Sequence, residues 1–590
     1  MSEALEARIR AWMAADVDEA DRTEIQALLD ETRVDPGNAT WRELESRFSG
    51  RLRFGTAGLR GRIGAGESRM NRATVIRATA GLADALVAAV PDAKAKGVVL
   101  GRDARHGSEA FQRDAAEVLL AKGFRVIWLP EPGPTPLVPF GVKRLGASAG
   151  IMVTASHNPP QDNGYKVYWA HGAQISSPID AQISDAIDAQ PGANQVARLV
   201  FDAAEGRFEP RPDLVDAYLD MLDRLRLVPE APVERLSVVY TAMHGVGGAT
   251  FLRAFERRGL TDVTVVPEQQ APDPDFPTVR FPNPEEDGAL DLAQALAEER
   301  SVDLVLANDP DADRLAALVR NSDGSWRNLS GNDIGVLLAR HLIDHDEPGD
   351  GSRLVVNTVV SSRLLGRMAK DLGVRYAEAL TGFKNIAAAM RRLEDEEGLR
   401  GLMGYEEALG YAVSAEVADK DGISAGLMLA EMAAVAKSEG RTLVDVLEAI
   451  HRAHGLFVGR SRSLVLEGSD GAKKIAAMMA RLRGVEPEAL SAAGIAESWD
   501  LESGRRMSTG PGGQAWMDGS LRGDVLIFEL EGGGRVAVRP SGTEPKLKFY
   551  LETEAPWPAE QSHEAARRAA EQQLESVESA VLGLAGAPAS

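Results

Sequence analysis

The 590 residues contain no cysteine, which removes disulfides, thiolate zinc sites and cysteine nucleophiles together. That absence suits a reducing compartment. No apolar run is long enough to span a bilayer. The opening MSEALEARIRAWMAADVDEADRTEIQALL is amphipathic and acidic, without the basic start and apolar core of a signal peptide, so a soluble cytoplasmic protein is expected. Positive charge is in deficit: 66 Lys and Arg face 88 Asp and Glu, a net charge of -22. A field of that sign repels polyanions, which argues against nucleic-acid and anionic-membrane partners. Any phosphate site must then be a local basic pocket.

What is present is ordinary globular material, 44% hydrophobic and 26% charged. The length exceeds what one core organises, so several domains are expected. From the glycine-rich segment at 53–61 to about residue 320, short β-branched runs alternate with longer helical patterns, the signature of βαβ units. Expected strands are 97–100, 125–129, 149–153, 236–241, 262–266 and 303–307, with helices over 73–90 and 108–121. A further α/β block starts at Leu354. After Phe457 the rhythm becomes an Ala-rich helix followed by a hairpin, 525–530 and 535–538 around Gly532-Gly533-Gly534, which indicates an α+β domain. Loops at 191–212, 320–331 and 452–460 suggest boundaries. The expected division is 1–48 (helical extension), 49–205, 206–325, 326–455 and 456–590. The Pro-rich stretch 269–287 is expected as an ordered loop and the tail 585–590 as frayed.

Four constellations carry chemistry. Thr154-Ala155-Ser156-His157-Asn158-Pro159 follows the apolar run 149–153, placing Ser156 at a strand's carboxyl end, where open α/β sheets bind ligands. A seryl oxygen is a poor nucleophile alone, but when phosphorylated it is a phosphoryl donor that needs a metal and cations. Lys166, ten residues on, returns to that pocket if Asn163-Gly164 makes a tight turn; a solvated surface lysine is the alternative. Asp309, Asp311 and Asp313 follow the strand 303–307, and three alternate carboxylates repel unless a hard cation, magnesium by preference, neutralises them. An EF-hand fails, since Arg314 stands where its glycine and Arg320 where its glutamate belong. A haloacid-dehalogenase-type aspartyl phosphatase is weakened by Asp313 at its Thr/Val position, and a purely structural acidic turn remains the plain alternative.

Gly404-Tyr405-Glu406-Glu407-Ala408 offers carboxylates suited to vicinal sugar hydroxyls, though an acidic helix N-terminus would look the same. Arg539-Pro540-Ser541-Gly542-Thr543, with Lys546 and Lys548, joins a guanidinium, hydroxyls and glycine-exposed N–H groups in a loop suited to a phosphate dianion. Gly245-Val246-Gly247-Gly248 mimics a dinucleotide fingerprint, but Thr250 replaces its third glycine.

In this order the four motifs resemble the α-D-phosphohexomutase superfamily. Phe54-Gly55-Thr56-Ala57-Gly58-Leu59-Arg60-Gly61 and Tyr240-Thr241-Ala242-Met243-His244-Gly245 make the chain similar to its phosphoglucomutase-2-like branch. The resemblance covers roughly 40–550 and implies a heart-shaped four-domain protein: three related α/β domains with mixed sheets and a C-terminal α+β domain. It implies that Ser156 is the phosphoserine and, with Asp309, Asp311 and Asp313, binds one Mg2+. It further implies that Arg60, His157, Lys166 and Arg314 line the reacting group and that Lys420 matches a proton acceptor. Thr381, Gly382 and Lys384 would distinguish the sugar, Glu406 and Ala408 would lie beside it, and Arg539, Ser541, Gly542, Thr543 and Lys548 would hold the non-reacting phosphate. Asn385 and Ala408 depart from common residues of this branch, which bears on specificity. The implied activity is interconversion of sugar 1- and 6-phosphates, glucose first and mannose second, through a sugar 1,6-bisphosphate. Phosphopentomutase and glucose 1,6-bisphosphate synthase are the neighbouring readings; a metal-dependent phosphatase or a sugar-phosphate binder belongs to another class.

Overall fold

The computed structural model describes residues 3–34, 39–55, 58–321, 323–346, 351–466, 470–508, 521–541 and 546–587. They fall into two bodies, 1–329 with 408–438, and 330–407 with 439–590.

In the first body, helices Glu3–Ala15, Glu19–Val34 and Ala39–Arg47 close over Ile9, Ile25, Leu29, Leu44 and Phe48. A six-stranded sheet follows in the order Leu59–Arg62, Asp162–Trp169, Ala149–Val153, Val98–Arg102, Val126–Trp128, Phe208–Pro210. Its last four strands run parallel and its first two antiparallel. Every residue of Ala149–Val153 is buried, as a continuous apolar run covered on both faces requires. Helix Arg72–Ala89 starts where the Asn71 side chain accepts the Thr74 N–H at 2.8 Å. The second sheet orders Trp326–Asn328, Ala316–Arg320, Leu304–Ala307, Ser237–Thr241, Asp262–Val265, the last three parallel.

In the second body, Arg375–Ala379, Arg353–Thr358 and Arg400–Glu406 are neighbouring parallel strands. An antiparallel sheet orders Leu456–Val465, Lys546–Ala555, Arg535–Pro540, Leu526–Leu530, Ile495–Asp500, Arg505–Ser508. Helices Gly471–Arg483 and His563–Ala585 pack on it through Met479, Ala570 and Leu574. Within this body Arg535, 2% exposed, donates to Glu378 Oε1 at 2.8 Å and to the Ser361 carbonyl at 2.7 Å.

Three expectations are corrected. The strand Leu456–Val465 precedes the Ala-rich helix; its second half, Gly459–Ser463, is exposed and polar, as an edge strand is, so an apolar search passes over it. Arg505–Ser508, the opposite edge strand, was missed for the same reason, and Ile495–Asp500, which lies inside the sheet, was missed because its sequence mixes polar and apolar residues without a continuous apolar run. The expected boundary loops also hold strands: Phe208–Pro210 lies within 191–212, Trp326–Asn328 within 320–331, and Gly455 alone, at φ +105°, joins helix Leu443–His454 to the strand after it. Past the short helix Pro267–Gln270, the Pro-rich stretch carries no regular element up to 287. The C-terminal helix runs to Ala585; residues 588–590 lie outside the described residues.

Candidate active site

The serine loop leaves the carboxyl end of Ala149–Val153. Ser156 is 3% exposed and takes φ +54°, the left-handed region that costs a serine about 1–2 kcal/mol. Its N–H donates to Thr154 Oγ1 at 2.9 Å, and its Oγ lies 3.1 Å from His157 Nδ1 and 3.1 Å from Asp309 Oδ2. Burial, with Arg314 and Arg60 nearby, holds the His157 imidazole well below its usual pKa, so it is neutral at pH 7.

The aspartates sit at the carboxyl end of Leu304–Ala307, all three fully buried, with ligand-capable oxygens within 4.8 Å of one another. Lys166 Nζ donates to Asp311 Oδ2 at 2.7 Å and to Asp313 Oδ2 at 2.8 Å. Thr135 Oγ1 adds a bond to Asp311 Oδ2 at 2.6 Å. Lys420 Nζ lies 3.3 Å from Asp313 Oδ2 and 3.1 Å from Asp419 Oδ1. Burial drives the Asp309 carboxyl well above its usual range, with Asp311 and Asp313 adding to the effect. Burial is the largest influence on Asp311 and Asp313 and opposes their ionisation, but Lys166 and Thr135 at the first, and Lys166, Lys420 and Arg314 at the second, together hold both below the usual range.

The donor set fits a hard divalent cation. Asp311 Oδ1 and Asp313 Oδ1 are buried oxygens with no hydrogen-bond donor among the described residues, a costly state that a cation at the cluster would relieve.

The glycines that mimic a dinucleotide fingerprint have another use here. A Cβ on Gly245 would stand 2.3 Å from Pro310 Cα, and the Val246 N–H donates to the Pro310 carbonyl at 2.8 Å. They let one strand-end loop press against the aspartate turn.

The expected tight turn at Asn163-Gly164 is absent: both lie inside strand Asp162–Trp169, and Lys166 reaches the pocket because it pairs in register with Met152, beside the serine loop. Arg60, opposite Gly164 on the edge strand, donates to Asn158 Oδ1 at 2.8 Å. Arg314 follows the aspartates; its N–H donates to Asp309 Oδ1 at 3.1 Å and its guanidinium to Glu285 at 3.2 Å. Ser156, His157, Lys166, the three aspartates and Lys420 therefore meet within one body.

In the second body the expected residues again stand at strand ends. Thr381 and Gly382 follow Arg375–Ala379, and Gly382, at φ +103°, opens helix Phe383–Glu397, which carries Lys384. Asn385 Nδ2 donates to the Thr381 carbonyl at 2.9 Å, so this departure ties the loop to its helix. Glu406 ends strand Arg400–Glu406, which removes the helix-terminus alternative. Glu407 accepts from Thr358 Oγ1 at 3.0 Å and Ser361 Oγ at 3.2 Å, while the half-buried Ala408 folds with the first body. Arg539 and Lys548 are directly opposite on neighbouring strands, and Ser541 N–H donates to the Lys546 carbonyl at 2.8 Å. Like charges so placed repel unless an anion lies between them. Gly542 and Thr543, like Thr56 and Ala57 of the glycine-rich segment, lie outside the described residues.

Sequence reasoning missed Arg105, Thr135 and Asp419. Arg105, 4% exposed, donates to four carbonyls of the serine loop region. It follows strand Val98–Arg102, and Thr135 lies in the segment after Val126–Trp128, so a survey of every parallel strand's carboxyl end finds both. Asp419, bound to Gln174 Nε2 at 2.7 Å, carries no such signal.

Comparison with known proteins agrees with this geometry. Residues 51–192, 216–324 and 330–453 match the α/β/α domains I, II and III of phosphoglucomutase/phosphomannomutase, and 520–572 match its C-terminal domain. A phosphopentomutase from Pongo abelii is 38% identical over 532 residues, 87% of each chain. A protein described as a probable phosphomannomutase from Haemophilus influenzae is 38% identical over 487 residues, 82% of this chain and 93% of that one. The crystal structure of parafusin, a phosphoglucomutase from Paramecium, in its open form, superposes with a TM-score of 0.67 at 19% identity, over 90% of this chain and 95% of that one, and supports the fold alone. The chain belongs to the phosphoglucomutase/phosphomannomutase family of the α-D-phosphohexomutase superfamily, and is a mutase, an intramolecular phosphotransferase.

Proposed function

We propose that Ser156 carries the transferable phosphoryl group and that Asp309, Asp311 and Asp313 hold Mg2+ beside it. The observation that carries this reading is the 3.1 Å approach of Ser156 Oγ to Asp309 within a carboxylate cluster that has two donorless buried oxygens. A magnesium ion there supplies fixed positive charge against the oxygens of the transferring group. In the forward step the bond from phosphorus to Ser156 Oγ breaks as one to a sugar hydroxyl oxygen forms, and the proton of that hydroxyl ends on the departing Oγ. The resulting bisphosphate turns round and returns its other phosphoryl to Ser156, whose proton must leave Oγ and ends on the sugar oxygen released. The neutral His157 imidazole, 3.1 Å from Oγ, is placed to relay that proton. Lys420, the expected proton acceptor, is tied to Asp419 and Asp313 and accepts a proton only after giving one up, so charge stabilisation is the role its geometry favours. Arg60 and Arg314 add positive charge around the serine, and Arg539, Ser541 and Lys548, with Gly542 and Thr543, hold the phosphate not in transfer. Glu406 takes sugar hydroxyls, with Thr381, Gly382, Lys384 and Ala408 setting the sugar. Four successive domains are supported by the matched family ranges, with the 205/206 boundary moved past strand Phe208–Pro210 and the 325/326 boundary past Trp326–Asn328, since each strand completes the preceding sheet.

For the sugar, the relative named phosphopentomutase favours pentose 1- and 5-phosphates as first substrates, with glucose and then mannose 1- and 6-phosphates next. Intact-mass spectrometry tests the phosphoserine: one added phosphate, lost in Ser156→Ala along with turnover, is expected. Full mutase activity in that variant, or steady release of free phosphate by the wild type, rejects the reading. Coupled assays with ribose, glucose, mannose and glucosamine 1-phosphates rank the sugars.

A further inference from the structure

We infer that Arg105 is a positioning residue for phosphoryl transfer: its guanidinium imposes the left-handed conformation of Ser156 and so aims Oγ at Asp309. The inference rests on the phosphoserine reading above. Arg105 donates to the carbonyls of Ser156 at 2.6 Å, Asn158 at 2.5 Å, Pro159 at 2.8 Å and Asp162 at 3.2 Å. Four carbonyls therefore converge on one cation. The loop cannot supply this order itself, because Pro159 and Pro160 have no N–H to give. Ser156 at φ +54° is held against an intrinsic preference, and the bond from Arg105 to its carbonyl fixes the peptide that follows the reacting side chain.

The guanidinium itself is flanked by a carboxylate and an aromatic ring. Its Nε lies 3.4 Å from Asp103 Oδ2; the other oxygen, Asp103 Oδ1, accepts from the Arg105 N–H at 3.0 Å and Ser108 Oγ at 2.6 Å. The Phe276 ring, 4.8 Å from the guanidinium carbon, covers it from the Pro-rich stretch, and His106 Nε2 lies 2.8 Å from Asp275 Oδ1 next to that ring. The Pro-rich stretch thereby closes the burial under which these carbonyl bonds are strong. The bonds of Arg105 go to the backbone around Ser156 and to Asp103, and its effect on transfer passes through that backbone. A lysine has no planar fork to span these carbonyls.

The test is Arg105→Lys, assayed with ribose and glucose 1-phosphates, with the phosphorylated fraction of Ser156 counted by mass. Expected is a kcat per phosphorylated site lower by about 100-fold, the usual cost of misplacing a reacting atom by 1 Å. KM should stay within about twofold, because uniform binding of the sugar phosphate is untouched. Arg105→Ala should lose as much and recover part of kcat in added guanidinium. Should the alanine variant fail to fold, the lysine variant decides alone. A kcat per phosphorylated site within threefold of wild type in Arg105→Lys, a loss confined to KM, or a loss matched by a smaller folded fraction overturns the inference. A wild-type protein that never carries phosphate on Ser156 overturns the underlying reading instead.

Discussion

Ser156 Oγ lies 3.1 Å from Asp309 Oδ2 across 153 residues of chain, joining two strand-end loops from two different sheets. Each loop is unfavourable alone: a serine held left-handed on one side, three buried carboxylates on the other. Lys166 offsets part of that negative charge, and the divalent cation proposed for the cluster would offset the rest.

Replacing Asp311 by Asn removes one ligand of the proposed set. The Mg2+ concentration for half-maximal activity should rise by at least the roughly 10–100-fold that outer-shell changes cause. A metal titration of initial rates checks this; an unchanged curve counts against the ligand set.

Lys166→Met leaves Asp311 and Asp313 without their shared ammonium, and a buried pair broken on one side costs about 3–5 kcal/mol. Because the freed carboxylates favour metal, Mg2+ should raise the melting temperature of this variant more than that of wild type, as calorimetry will read.

Gly245→Ala puts a Cβ where Pro310 Cα is 2.3 Å away. The aspartate turn must shift, costing about 1–3 kcal/mol of stability. A larger fractional loss of kcat than of folded protein is expected, and Gly324→Ala, where nothing lies within 4 Å, gives the backbone-strain control at φ +84°.

Arg539→Ala removes half of a basic cross-strand pair. Loss of a charge-assisted bond worth about 1.5–3 kcal/mol should raise KM for sugar phosphates by roughly 10–100-fold. The effect should shrink at high salt, and an unaltered KM would place the phosphate elsewhere.

Asp21 is pushed up to about 7 by burial, reinforced by Asp16, Asp18 and Glu24. Its folded-state pKa is above the unfolded value of about 3.9, so its stabilising proton is held at low pH and lost as pH rises toward 7. Asp21→Asn should raise the melting temperature at pH 8 and leave it nearly unchanged at pH 4. Equal shifts at both values would contradict this.

Much of the site was legible because parallel strands display their ligand loops at one end. The Ser156 loop and the three aspartates each follow an apolar run that reads as a strand. Arg105 was not legible, since a lone arginine after a strand looks like any surface cation until four carbonyls are seen around it. The Gly245 loop was misleading for the opposite reason: its glycines answer to Pro310, a neighbour 65 residues away by number. The polar strand Leu456–Val465 stayed hidden because pairing with Lys546–Ala555, rather than side-chain burial, holds it.

The amino-acid order alone determined the chemistry on offer, a seryl oxygen, a carboxylate triad and basic loops, because residue types and strand-end spacing are local properties. Tertiary structure decided which of these meet. Lys166 reaches the aspartates through strand register, Lys420 reaches Asp313 from a segment that folds with the first body, and Asp311 and Asp313 are left with donorless oxygens. Such relations arise from packing between distant segments, where burial sets the strength of each charge, and no stretch of sequence encodes that on its own.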